Sequence, residues 1–227
     1  MWVKICGTTN LEDARLAVEA GADALGFIFA PSPRRISPKD ARKIISELPL
    51  RIEKVGVFVN QAPEIILDTA ETAGLTGVQL QGDEGADYVR ELAKLSAIRK
   101  VALAVFKGIS LKEAINSEPD DEFKECADTI HAMLFDSGSP SKRGGTGETF
   151  DWAATRLLVR RIAKSFKVVV AGGLRPDNVA EAIAVFQPWG VDVVSGVERE
   201  PGKKDPQKIK DFMTAVRKSA EKTHSCP

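Results

Sequence analysis

Two residues separated by most of the chain have the chemistry of an acid–base pair. Cys6 ends the strand candidate Trp2-Val3-Lys4-Ile5-Cys6 just before Gly7, and Asp136 directly follows the apolar run Ala132-Met133-Leu134-Phe135. A free thiol ionises near pH ~8.5, so Cys6 needs cationic or dipolar help to act as a thiolate base. Desolvation at an apolar edge holds a carboxyl group protonated, which suits Asp136 to give up a proton. Candidate anion ligands accompany the pair. Gly172-Gly173 follows one apolar run and Ser195-Gly196 closes another, and glycines let backbone N–H groups approach a phosphate. Arg34 and Arg35 end Pro31-Ser32-Pro33-Arg34-Arg35, where prolines stiffen the segment and a guanidinium fork suits a carboxylate or phosphate. Each feature also has a plainer reading: a buried small hydrophobe, turn glycines, surface-loop arginines.

The rest of the composition narrows the chemistry. Cys6, Cys126 and Cys226 are an odd number with no C-x-x-C pair, and His131 and His224 lie far apart, which argues against a disulfide framework, a metal site or a Ser-His-Asp triad. His131 reads as a satisfied structural histidine within a strand. Lys142, Arg143, Lys203 and Lys204 read as solvated loop cations, and Gly144-Gly145-Thr146-Gly147 is neither a dinucleotide fingerprint nor a P-loop. Lys and Arg (32) balance Asp and Glu (32), so no global positive field recommends nucleic acid or an anionic membrane. No run approaches the ~18 apolar residues of a membrane span, and the opening segment is broken by Gly7 too early for a signal peptide. A soluble, cytoplasmic protein is expected.

These residues must be positioned by an alternating chain. Apolar strand runs are expected at Trp2–Cys6, Ala24–Phe29, Lys54–Val59, Gly77–Leu80, Lys100–Phe106, Thr129–Phe135, Lys167–Ala171 and Val191–Ser195. Helical segments separate them, with Asn10 and Ser37-Pro38 as caps and Gly21 as a stop. Eight strand–helix units in 227 residues fit a single-domain α/β fold, a (β/α)8 TIM barrel over residues 1–222. A polar insertion is expected near 116–126 and a short tail at 223–227. In such a barrel the site lies at the C-terminal strand ends, where Cys6, Asp136, Gly172-Gly173 and Ser195-Gly196 fall.

Lys4-Ile5-Cys6-Gly7, Gly21-Ala22-Asp23-Ala24-Leu25-Gly26-Phe27, Ser32-Pro33-Arg34, Val55-Gly56-Val57-Phe58-Val59-Asn60, Gln79-Leu80, Phe135-Asp136-Ser137, Gly144-Gly145-Thr146-Gly147, Phe150-Asp151-Trp152, Gly172-Gly173-Leu174, Asn178-Val179 and Ser195-Gly196-Val197-Glu198 run in one order over nearly the whole chain. As a set they resemble the phosphoribosylanthranilate isomerases of tryptophan biosynthesis. The resemblance implies a cofactor-free, metal-free Amadori rearrangement of a small phosphosugar, in a monomer or homodimer. It implies Cys6 as general base, Asp136 as general acid, and Arg34 near the substrate's anthranilate carboxylate. Gly172, Gly173, Ser195 and Gly196 fall in its phosphate-binding segments, and Asp192 matches an acid near the substrate. Gln81 stands where histidine is usual, Glu148 where lysine is common, and the loop before Arg34 is one residue short. The rival readings are another phosphosugar barrel, such as the histidine-pathway isomerase, and a non-catalytic phosphosugar-binding barrel.

Overall fold

The computed structural model describes residues 1–114, 119–136 and 152–224. Eight parallel strands close into a barrel: β1 (Trp2–Ile5), β2 (Ala24–Ile28), β3 (Glu53–Phe58), β4 (Gly77–Leu80), β5 (Ala104–Ser110), β6 (Ile130–Asp136), β7 (Val168–Val170) and β8 (Gly190–Val193). Closure is made by β1 on β8, with Lys4 opposite Asp192. Outside lie α1 (Leu11–Ala20), α2 (Pro38–Ile45), α3 (Pro63–Ala73), α4 (Ala86–Arg99), α5 (Leu111–Ala114), α6 (Pro119–Glu122), α7 (Trp152–Ile162), α8 (Val179–Phe186) and α9 (Pro206–His224). Among the described residues, no helix is long and apolar enough to cross a membrane.

Local signals explain the helix ends. The Asn10 side chain accepts from Asp13 N, the Ser37 side chain accepts from Asp40 N ahead of Pro38, and Gly21 leaves α1 at φ 93°. Each satisfies backbone groups that a helix terminus leaves unpaired.

Strand alternation divides the interior in two. Trp2, Ala24, Val55, Phe106, Ala132, Leu134, Val169 and Ala171 pack together inside the barrel, while Val3, Ile5, Leu25, Val78, Met133, Phe135, Val191 and Val193 pack in the layer beneath the helices. Because successive side chains point to opposite faces, Lys4 and Cys6 share the inner face with Trp2, and Asp136 shares it with Ala132 and Leu134.

Three expectations are corrected. The fifth strand begins at Ala104 and runs to Ser110, not from Lys100 to Phe106. α4 continues to Arg99 and Lys100 caps it in the left-handed region at φ 58°, so the Val101-Ala102-Leu103 run precedes the strand. Lys107 therefore lies inside this strand, with its ammonium buried against Glu84 at 3.3 Å. Lys203 is exposed, as expected, but Lys204 is not solvated: β9 (Glu198–Glu200) and β10 (Lys203–Lys204) form an antiparallel hairpin in which Lys204 is only 1% exposed. Finally, His131 lies edge-on to Phe106 and Trp189, but its Nε2 is buried with no hydrogen-bond partner among the described residues. Burial and Lys167 hold its pKa down, which favours the neutral ring, so the expected structural role stands without a bond at Nε2.

Candidate active site

Cys6 follows β1 directly and is held there by its N–H, which donates to Val193 O at 2.9 Å. The thiol occupies space that Gly26 of β2 leaves open, since a Cβ at Gly26 would overlap Cys6 Sγ. One layer deeper, the fully buried Lys4 ammonium lies 2.9 Å from Asp192 Oδ2 and donates to Gln79 Oε1 at 2.8 Å. Gln79 Nε2 in turn donates to Gln81 Oε1 at 2.7 Å, which carries a polar chain from β8 through β1 to the end of β4. The other Asp192 oxygen, Oδ1, is buried with no hydrogen-bond partner among the described residues.

The electrostatics of Cys6 oppose one another. Burial pushes the thiol up, Lys4 pulls it down, Asp192 pushes it up again and Lys204 pulls it down, with the net result above the ordinary value. The cations that the sequence reading required are therefore present, and burial opposes the charge that they favour. Lys4 is firmly an ammonium: burial opposes its charge, but Asp192 and Cys6 raise its pKa overall.

Arg34 is 9% exposed and is aimed by a partner that was not assigned from sequence. Its Nε donates to Glu198 Oε1 at 2.9 Å and Oε2 at 3.0 Å, and Nη2 donates to Oε2 at 2.7 Å. Glu198 also binds Lys204 Nζ at 3.1 Å, and that ammonium donates to Cys6 O at 2.6 Å and Val194 O at 3.1 Å. Burial raises the Glu198 pKa, yet Arg34 and Lys204 outweigh it and leave the carboxyl below its ordinary value. Gly7, at φ 78°, makes room for this arrangement, because a Cβ there would stand 2.8 Å from Arg34 Cδ. Arg35 is exposed.

Asp136 ends β6 opposite Ser110 and is 7% exposed. Gly172 (φ 82°) and Gly173 (φ 64°) turn the chain after β7 in a conformation that L side chains rarely adopt. Asn178 Nδ2 donates to Gly173 O at 2.9 Å and Asn178 Oδ1 accepts from Arg175 N at 2.7 Å, which fixes that turn. Ser195 and Gly196 open a 3-10 turn after β8, and Gly196 lies so close that a Cβ there would overlap Leu174 O. The two glycine segments thus meet, as their places in the sequence implied.

Behind Gln81, Lys107 and Glu84 form a buried clamp. Glu84 accepts from Asn60 N and Gly82 N, each at 2.7 Å, while Lys107 donates to Gly82 O at 2.8 Å, so the loops after β3 and β4 are tied together. Lys142, Arg143, Gly144, Gly145, Thr146, Gly147, Glu148 and Cys226 lie outside the described residues. Sequence reasoning missed Lys4, Gln79 and Lys204 as site residues. For Lys4 a signal existed, since two-residue alternation places it on the face of Cys6.

A closed (β/α)8 barrel whose buried thiol, carboxylates and arginine gather at the C-terminal strand ends defines a barrel of the enzyme-bearing class. Residues 3–215 match the family model described as N-(5'-phosphoribosyl)anthranilate (PRA) isomerase, and the chain belongs to that family. The N-(5'-phosphoribosyl)anthranilate isomerase of Trichlorobacter lovleyi is 44% identical over 212 residues, which span 93% of this chain and 95% of that one. The phosphoribosyl anthranilate isomerase structure from Thermus thermophilus superposes with a TM-score of 0.80 at 36% identity, covering 96% of this chain and 99% of that one. A phosphoribosyl anthranilate isomerase solved with reduced 1-(o-carboxyphenylamino)-1-deoxyribulose 5-phosphate has a TM-score of 0.75 at 40% identity, with 96% and 99% covered.

Proposed function

We propose that this chain converts N-(5'-phosphoribosyl)anthranilate to 1-(2-carboxyphenylamino)-1-deoxyribulose 5-phosphate, with Asp136 as general acid and Cys6 as general base. The observation that carries the reading is the placement of both groups, 7% and 3% exposed, at inward-facing ends of β6 and β1. Asp136 gives its proton to the furanose ring oxygen as the C1′–O bond opens, and the anthranilate nitrogen supplies the electron pair for the Schiff base. The Cys6 thiolate then takes the C2′ proton, and the enolamine formed tautomerises to the ketone. Neither step calls for a cofactor.

Binding groups follow from the same layout. The N–H groups of Gly172, Gly173, Ser195 and Gly196 receive the phosphate where the loops after β7 and β8 meet. Arg34, with Nε and Nη2 engaged by Glu198, turns the remaining side of its fork to the anthranilate carboxylate. Asp192 lies beneath the sugar. The reading implies a cytoplasmic enzyme acting on a small phosphosugar, as a monomer or homodimer. Freshly prepared phosphoribosylanthranilate tests it: the protein should change the anthranilate fluorescence of the substrate with turnover, and absence of turnover would refute it.

A further inference from the structure

Lys4 has no exposed surface and sits in an interior layer that apolar side chains fill elsewhere, as Val55 and Leu134 do. An ammonium there is unfavourable unless it is paired and hydrogen-bonded. The chain keeps it and surrounds it. Asp192 Oδ2 lies at 2.9 Å, Gln79 Oε1 at 2.8 Å, and the Cys6 thiol, two residues on along the same face of β1, completes the setting. Gln79 itself is held by Gln81, so the ammonium cannot turn away without breaking a bond to β4.

We infer that Lys4 is a positioning residue for the isomerisation: clamped between Asp192 and Gln79 beneath Cys6, it supplies the positive charge against which the Cys6 thiolate forms. The inference rests on Cys6 being the base. In this step the S–H bond breaks, the electron pair stays on sulfur facing the ammonium, and the proton leaves to water before substrate fills the mouth. Among the described residues, charged groups on three strands act on the thiol. Lys4 comes from β1, Asp192 from β8, and Lys204 from β10 through the Cys6 carbonyl, with Glu198 and Arg34 behind it, while β2 presents only Gly26. Lys4 lowers the pKa of Cys6 more than Asp192 raises it, and burial opposes the charge throughout. Asp192 therefore sets how much of the Lys4 charge reaches the sulfur.

The test uses a Cys126→Ser/Cys226→Ser background, so that thiolate absorbance in the ultraviolet reports Cys6 alone. Lys4→Met should raise the pH at which Cys6 ionises by about 1–3 units, the range expected for loss of an adjacent opposite charge. It should lower kcat at least about tenfold while KM stays within about twofold, because Lys4 does not touch substrate. Asp192→Asn should move the ionisation the other way. General loosening of the barrel would not produce shifts of opposite sign. If Lys4→Met does not fold, the electroneutral Lys4→Met/Asp192→Asn protein replaces it and should still ionise above the parent. An unmoved ionisation, or movement in one direction for both single variants, overturns the inference. Cys6→Ala separates the two levels: if it is inactive while Lys4→Met does not shift, only the role of Lys4 fails, and if Cys6→Ala is fully active the base assignment fails with it.

Discussion

Glu198 grips Arg34 through both carboxylate oxygens, at 2.9 and 3.0 Å from Nε and 2.7 Å from Nη2, although 164 residues separate them. The pair joins the loop after β2 to the hairpin after β8, so one arginine both closes the rim of the barrel and is aimed by it. Replacing Arg34 with lysine keeps the charge but loses the fork. Arg34→Lys should lower kcat/KM at least about tenfold, mostly through KM. Unchanged steady-state constants would remove Arg34 from the site and make Arg35 the next candidate.

The same cluster carries a pH dependence. The folded state holds the Glu198 carboxyl below its ordinary value of 4.5, because Arg34 and Lys204 outweigh its burial. A depressed carboxylate stabilises the fold above its unfolded-state pKa, and the contribution is lost as pH falls through the lower, folded-state value. Acid unfolding of Glu198→Gln should therefore be less steep below pH 4.5 than that of the parent. At neutral pH the variant should be less stable by about 3–5 kcal/mol, since one partner of a buried pair is gone. Denaturant titrations at both pH values check the two halves of this expectation.

Gly26 is required by what stands opposite it. A methyl group there would overlap Cys6 Sγ, so Gly26→Ala must displace the thiol or the strand. Overpacking of this kind destabilises by about 1–3 kcal/mol, and a ~1 Å misplacement of a reacting group slows turnover about 10²-fold. Thermal unfolding and kcat, measured on the same preparation, should both fall. An unaltered kcat would mean that the position of the sulfur does not govern the rate.

The strands were legible because a parallel barrel buries both faces of its sheet, which leaves apolar runs such as Ala24-Leu25-Gly26-Phe27-Ile28 that need no partner to be recognised. Cys6, Asp136, Gly172-Gly173 and Ser195-Gly196 were legible for a related reason, since each stands where such a run stops. What was not legible is held by tertiary pairing. The burial of Lys107 depends on Glu84, 23 residues away, and Lys204 looked like a loop cation because Glu198, Cys6 and Val194 meet it only after the hairpin has folded. Strand alternation could place Lys4 on the face of Cys6, but the partners that hold a buried ammonium, a carboxylate or a carbonyl, are brought to it only by the fold.

The phosphate assignment has its own test. Gly173 adopts φ 64° and lies where the loops after β7 and β8 meet, so Gly173→Val places a β-branched residue in a strained conformation and covers backbone donors. KM should rise about tenfold or more, and inorganic phosphate, a competitive inhibitor of the parent, should inhibit the variant less. Equal inhibition of the two proteins would put the phosphate elsewhere.

The acid–base pair is tested most directly by the turnover number of Cys6→Ala and Asp136→Asn, followed through anthranilate fluorescence under saturating substrate. A general acid or base contributes about 10²–10⁴-fold, so each variant should lose that much in kcat while Cys126→Ala, at a buried thiol whose sulfur points to Phe123 O, should match the parent. Full turnover in a folded Cys6→Ala or Asp136→Asn protein would contradict the account.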